Sequence, residues 1–172
     1  MIPNDYNYFI EVLQSGSYDD LEELASLEED FPQGKDGRVM RHWITNAIDC
    51  GSQEAIRWIL GKKVDLIFCD DEGYTVLHSA MERDKDDRYE VMELLLKFGA
   101  DINLKGINDW TPAHMAAAKN DVTALKIFVK YGADLSIRTD IDDYATPLEE
   151  VRILHNLKFS CSDAIAFLEN IT

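Results

Sequence analysis

Apolar positions along the chain fall in short blocks at helical spacing. Leu94, Leu95 and Leu96 form one block, and Leu125, Phe128 and Val129 another. Each has the spacing that buries one face of a helix. The first is followed by Gly99 and the second by Gly132, where a helix end calls for a left-handed residue. Upstream, Thr75 and Thr111 stand where a side-chain oxygen can accept a free N–H of a helix's first turn. Pro112 takes the position at which a missing N–H costs nothing. Weaker versions of the same order, helix then glycine then helix, run through 12–24 around Gly16 and through 47–66 around Gly51. The pattern predicts an all-α chain of short helices paired across tight turns.

Those blocks repeat. Residues 94–103 read Leu-Leu-Leu-Lys-Phe-Gly-Ala-Asp-Ile-Asn and residues 127–136 read Ile-Phe-Val-Lys-Tyr-Gly-Ala-Asp-Leu-Ser. A second echo precedes each, Thr75-Val-Leu-His78-Ser-Ala80 and Thr111-Pro-Ala-His114-Met-Ala116, and Thr146-Pro147-Leu148-Glu149 begins a third. A period near 33 residues with this start resembles the ankyrin repeat family, whose unit is a turn plus two helices. Five units follow from the register: about 4–31, 37–69, 70–105, 106–138 and 139–172. The first and last are the least regular, as outermost units are when one face must meet solvent. The expected architecture is a single-domain, all-α ankyrin solenoid with short hairpin fingers and no true sheet.

The resemblance implies roles for particular residues. His78 and His114 fall where the family uses imidazole to bond loop backbone between neighbouring units. Partners are usually bound by the concave face, built from the fingers and the exposed side of the first helices. Carried over position by position, that face comprises Asp71, Glu72 and Tyr74 in the third unit, then Asn108, Asp109 and Trp110 in the fourth. Asp142, Asp143 and Tyr144 extend it in the fifth, and Glu82, Arg83 and Lys119 join from the ends of first helices. Tyr74 and Trp110 share one finger position, just before the Thr. No helical core demands an aromatic there, and aromatics amid charge are typical of binding hot spots. The competing reading is that the two rings stack to stiffen the fingers. The third unit also departs from the family pattern. Asp84 stands where a glycine is usual, and Lys85-Asp86-Asp87 is inserted before the second helix, which reads as a solvated loop.

Composition narrows the partner. The 172 residues carry 33 acids against 17 bases, a formal net charge of -16. Such a field repels nucleic-acid phosphates and anionic membrane surfaces and speeds the arrival of a basic protein. Ten acids and one base lie in residues 1–37, a segment that serves equally as a solubilising cap or a docking face. Three cysteines, Cys50, Cys69 and Cys161, have no Cys-x-x-Cys spacing, so they read as buried free thiols in a reducing compartment. No signal peptide and no membrane-spanning run is legible, which points to the cytoplasm.

Catalytic patterns are missing from the sequence: no nucleophile elbow, zinc-binding His-Glu-x-x-His or phosphate-cradling glycine loop occurs. Asp84, Asp86 and Asp87 lack the ordered spacing and closing Glu of a calcium loop. No enzyme activity, metal or cofactor is expected, and the free protein is expected to be monomeric. Two function classes remain. One is an acidic inhibitor, of the kind that neutralises a basic toxin or enzyme; the other is an adaptor that recruits a partner without inhibiting it.

Overall fold

The computed structural model describes residues 6–141 and 144–171. Among these described residues the chain forms ten α-helices and no β-strand, as the apolar spacing predicts. The helices come in five pairs: α1 (Tyr6–Ser15) with α2 (Tyr18–Leu27), α3 (Trp43–Cys50) with α4 (Gln53–Gly61), and α5 (Val76–Glu82) with α6 (Arg88–Lys97). Then come α7 (Pro112–Ala118) with α8 (Val122–Lys130), and α9 (Pro147–Asn156) with α10 (Ser162–Glu169). First helices pack on first helices along one layer, and second on second along the other, giving a two-layer stack.

Local chemistry sets the helix boundaries. Thr75 accepts from the His78 N–H at 3.4 Å to open α5, and Thr146 accepts from Glu149 N at 3.3 Å to open α9. Glu149 returns the bond to Thr146 N at 2.9 Å, closing a reciprocal cap. Pro112 and Pro147 occupy the first helical positions. Gly99 and Gly132 follow α6 and α8 at φ of 95° and 86°, the left-handed region that their places in the sequence require.

The core is one continuous apolar cluster between the layers. Leu95, Leu125 and Phe128 are wholly buried within it, while Leu96 packs at its margin and Val129 is half-buried. The irregular first unit is anchored by aromatic rings. Phe9 stacks on Trp43 at 4.8 Å between centroids, Phe31 meets Trp43 edge-on at 5.3 Å, and Phe31 stacks on Trp58 at 5.5 Å. Glu22 of α2 accepts from the Trp58 indole N–H at 3.0 Å and from Lys62 at 2.6 Å, so part of the acidic first unit is tied to the second.

Polar side chains link each unit to the next. Asn103 Oδ1 accepts from Asp134 N at 2.9 Å, and Asn120 Oδ1 accepts from Ala164 N at 2.8 Å, capping α10 from the neighbouring turn. His114 Nδ1 accepts from Thr111 N at 3.2 Å, so its other nitrogen carries the proton and donates to Ala145 O in the next finger at 3.0 Å. His78 presses against Gly106 of its neighbouring finger, where an added Cβ would lie 2.9 Å from the ring. Only glycine fits there.

Burial lowers the pKa of both imidazoles, that of His78 to about 4 despite favourable backbone contacts from Trp110 and Thr111. A base with a depressed folded pKa is stabilising above its unfolded pKa, because below it the unfolded chain binds the proton more readily. His78 should therefore cost up to about 3 kcal/mol of stability as pH falls from 6.5 to 4. Urea unfolding at pH 7.5 and pH 4.5 measures this. Equal unfolding free energies at the two values would show that His78 is not buried in its neutral form.

Candidate functional site

Each finger is closed by one equivalent backbone hydrogen bond. Asp36 N donates to Arg41 O at 2.8 Å, Asp70 N to Tyr74 O at 2.9 Å, Gly106 N to Trp110 O at 2.8 Å, and Thr139 N to Ala145 O at 3.0 Å. Side chains then fix each loop's shape. Asp70 Oδ1 accepts from Glu72 N and Tyr74 N at 3.0 and 2.8 Å. In the fourth unit Asn108 and Asp109 both adopt φ 57°, residue types that tolerate the left-handed turn. In the second, the Asp36 carboxylate is fully buried. It accepts from Arg38 N at 3.0 Å, Val39 N at 2.7 Å and Asn46 Nδ2 at 2.8 Å. Burial opposes its charge, yet these donors hold its pKa below the usual carboxylate value.

The fingers of units two and three enclose two adjoining depressions. One, of about 190 Å³, is lined by Arg41, Asp49, Asp70, Glu72, Tyr74, Ser79 and Glu82. The other, of about 390 Å³, is lined by Tyr6, Val39, Met40, Arg41, Asp70, Asp71 and Glu72. Their shared wall is made of Arg41, Asp70 and Glu72. Arg41 pairs with Asp49 at 2.6 Å, and Asp71 stands 4.0 Å from Lys35. Among the described residues no basic group lies within ion-pair distance of Asp70 or Glu72. Burial works against the Arg41 charge, but Asp49, Asp70 and Glu72 hold its pKa above the usual guanidinium value. The Tyr74 phenol is raised, first by burial and then by Glu82. Such a surface can bind a cation.

The expected site residues divide among three places. Asp71, Glu72, Tyr74 and Glu82 line the paired depressions. Asn108 and Trp110 lie on the fourth finger, where Trp110 is half-buried against the core. Tyr74 meets His78 edge-on, and among the described residues no ring contact joins Tyr74 to Trp110. Asp109 accepts from Lys105 Nζ at 3.1 Å and from the backbone N–H of Asp140, so its carboxylate links two fingers. Tyr144 is exposed, and Asp142 and Asp143 lie outside the described residues.

Lys119 pairs with Glu82 at 2.9 Å and lines a groove of about 710 Å³ at the turns between first and second helices. That groove is separate from the finger-side depressions except through Glu82, which lines both.

Two expectations are corrected. Arg83 is not on an exposed face: it is 2% exposed. Its guanidinium donates to Ile48 O at 2.5 Å and Gly51 O at 2.9 Å and grips Asp87 through Nε at 2.7 Å and Nη2 at 2.9 Å. The inserted loop curls back to the end of α3, where Lys85 also donates to Cys50 O and Gly51 O at 2.7 and 2.9 Å. Nor are the three thiols all buried: Cys161 is, Cys50 is half-buried and Cys69 is exposed. Burial pushes all three pKa values up, which disfavours the nucleophilic thiolate. Among the described residues no three His, Cys, Asp or Glu side chains converge as metal ligands. No helix there is long and apolar enough to cross a membrane.

Asp36, Val39 and Met40 were not legible as site residues. The available signal was the pair Val39-Met40, two adjacent apolar residues in a finger flanked by Arg38 and Arg41.

Comparison with known proteins agrees with this architecture. The family profile described as "Ankyrin repeats (3 copies)" matches residues 12–106 and 43–139. RelA-associated inhibitor of Mus musculus is 30% identical over 99 residues, 58% of this chain and 12% of that protein. Protein phosphatase 1 regulatory subunit 27 of Homo sapiens is 30% identical over 92 residues, 54% of this chain and 58% of that one. Ankyrin repeat and KH domain-containing protein mask-1 of Caenorhabditis elegans is 26% identical over 132 residues, 76% of this chain and 5% of its own length. The chain thus spans a minor part of two of these relatives and little more than half of the third.

Proposed function

The chain belongs to the ankyrin repeat family, a protein–protein interaction module, and from that premise we propose that it is a non-catalytic inhibitor of a protein with a basic surface. The partner docks on the finger side, steered by the acids around Asp70 and Glu72 and anchored by Tyr74 and Trp110. Asn108, Lys119, Glu82 and Tyr144 border that contact, and Arg83 takes no part in it. One observation carries the reading: the third-unit finger, α3 and α5 converge the carboxylates of Asp70, Glu72, Asp49 and Glu82 on a single depression, together with Tyr74 and with Arg41 of the second finger. Two relatives bearing the words inhibitor and regulatory subunit in their names favour inhibition over recruitment alone. A cytoplasmic monomer is the form proposed to act.

Steering and anchoring separate in a kinetic experiment on a captured partner. Asp71→Lys combined with Glu72→Lys should slow association and flatten its salt dependence, leaving dissociation nearly unchanged. Trp110→Ala should mainly speed dissociation, weakening binding by about 2 kcal/mol or roughly 30-fold. The partner's activity should vanish in the complex; activity that persists would make the protein an adaptor. An acidic partner, or one indifferent to Trp110→Ala, would move the interface off these fingers.

A further inference from the structure

We infer that the finger junction of units two and three is a recognition pocket for a short extended partner segment, in which an apolar side chain precedes or follows an arginine or lysine. The inference rests on the reading that the finger side is the binding face, and names what that face selects. Val39 and Met40 are 50% and 58% exposed, neighbours in sequence, and both line the larger depression. Adjacent exposed apolar side chains in a chain this charged cost solvation free energy that burial against a partner would recover.

The finger is built to hold them there. Met40 sits at φ 58°, a left-handed conformation that its Cβ disfavours and that Gly, Asn or Asp would accept more readily. The wholly buried Asp36 carboxylate takes the N–H groups of Arg38 and Val39, and Met40 N donates to Asp36 O at 3.2 Å. A buried carboxylate and a left-handed methionine are therefore committed to one loop whose tip presents two apolar groups. Preorganisation of this kind lowers the ordering cost of binding.

Charge then fixes the partner's chemistry. The apolar tip adjoins Asp70 and Glu72 directly, and beyond them lies Tyr74. A basic side chain reaching past the tip meets the carboxylates of Asp70 and Glu72, and its methylene stem can lie along the tyrosine ring. Those carboxylates share their wall with Arg41 but form no ion pair among the described residues, because Arg41 is paired to Asp49. A purely apolar segment leaves the acids desolvated without compensation. A purely basic one leaves Val39 and Met40 in water.

Selection of random heptapeptides displayed on phage against the whole protein tests this. Enriched sequences should carry Leu, Ile, Met or an aromatic residue adjacent to Arg or Lys. A fluorescein-labelled consensus peptide should bind about tenfold more weakly to Met40→Gly, and equally so to Asp70→Asn with Glu72→Gln. Glycine relaxes the left-handed backbone and asparagine keeps the turn acceptor, so both variants should melt at or above the wild-type temperature. Consensus peptides that bind Met40→Gly normally but lose affinity for Trp110→Ala would overturn the pocket and leave the finger-side face intact. An acidic consensus, or no enrichment, would also overturn it, while partner capture would still decide the wider reading.

Discussion

Arg83→Ala is expected to cost about 3–5 kcal/mol, enough to leave the chain largely unfolded at physiological temperature if its total stability is ordinary. The guanidinium bonds two carbonyls at the end of α3, Ile48 O and Gly51 O, and holds both oxygens of Asp87. The side chain is wholly shielded from water, so truncation strips Ile48 O and Asp87 of its bonds, while Gly51 O keeps Lys85 as a donor. The cation also sits at a helix C-terminus, where the α3 dipole favours it. Arg83→Lys should recover little, since an ammonium cannot make the two parallel bonds to Asp87. Thermal unfolding followed by circular dichroism gives the answer, and a melting point within two or three degrees of wild type for Arg83→Ala would mean the contact is dispensable.

Phe128→Ala should be comparably damaging for a different reason. The ring is 0% exposed on α8 and belongs to the cluster that joins both helix layers. Removing it discards the transfer free energy of the ring and leaves a cavity that the rigid stack cannot close, typically about 3–5 kcal/mol. For a protein of this size that is a fall in melting temperature on the order of 10 °C. Phe128→Leu should lose much less, because most of the volume stays filled. If Ala and Leu at this position unfold together, polar or backbone effects rather than the cavity dominate.

Much of the fold was legible because its local signals agree. Thr75, Pro112, Gly99 and Gly132 mark helix ends through short-range bonding and backbone preference alone, and the structure puts each where those forces require. His114 was legible through the family resemblance, and its bond to Ala145 O bears that out. Arg83 was not. Its register places it at a helix end, but its burial depends on Asp87 and on carbonyls more than thirty residues earlier, which no local pattern encodes. The same holds for Asp36. An acid in a loop ordinarily faces water, and only the converging N–H groups of the finger explain why this one is enclosed. Cys69 was misplaced for the opposite reason: a thiol's average preference for burial yielded to a finger-base position that faces solvent. For the candidate site, the acids of the third finger and Tyr74 were readable as chemistry, whereas their junction with Val39 and Met40 needed two fingers in register.

The aromatic anchoring of the first unit also makes the protein its own optical probe. Of three tryptophans, Trp43 and Trp58 are locked in the rings that fasten α1 and the Phe31 segment to unit two, and Trp110 stands alone on the fourth finger. Intrinsic emission is therefore weighted two to one toward one end of the stack. Unfolding that begins there will shift the spectrum before the helical signal falls; unfolding from α10 will do the reverse. With Trp43 and Trp58 each exchanged for phenylalanine, the remaining indole reports from the finger that is proposed to meet the partner. Its emission maximum should move to shorter wavelength when a complex forms and stay put when melting starts at the first unit.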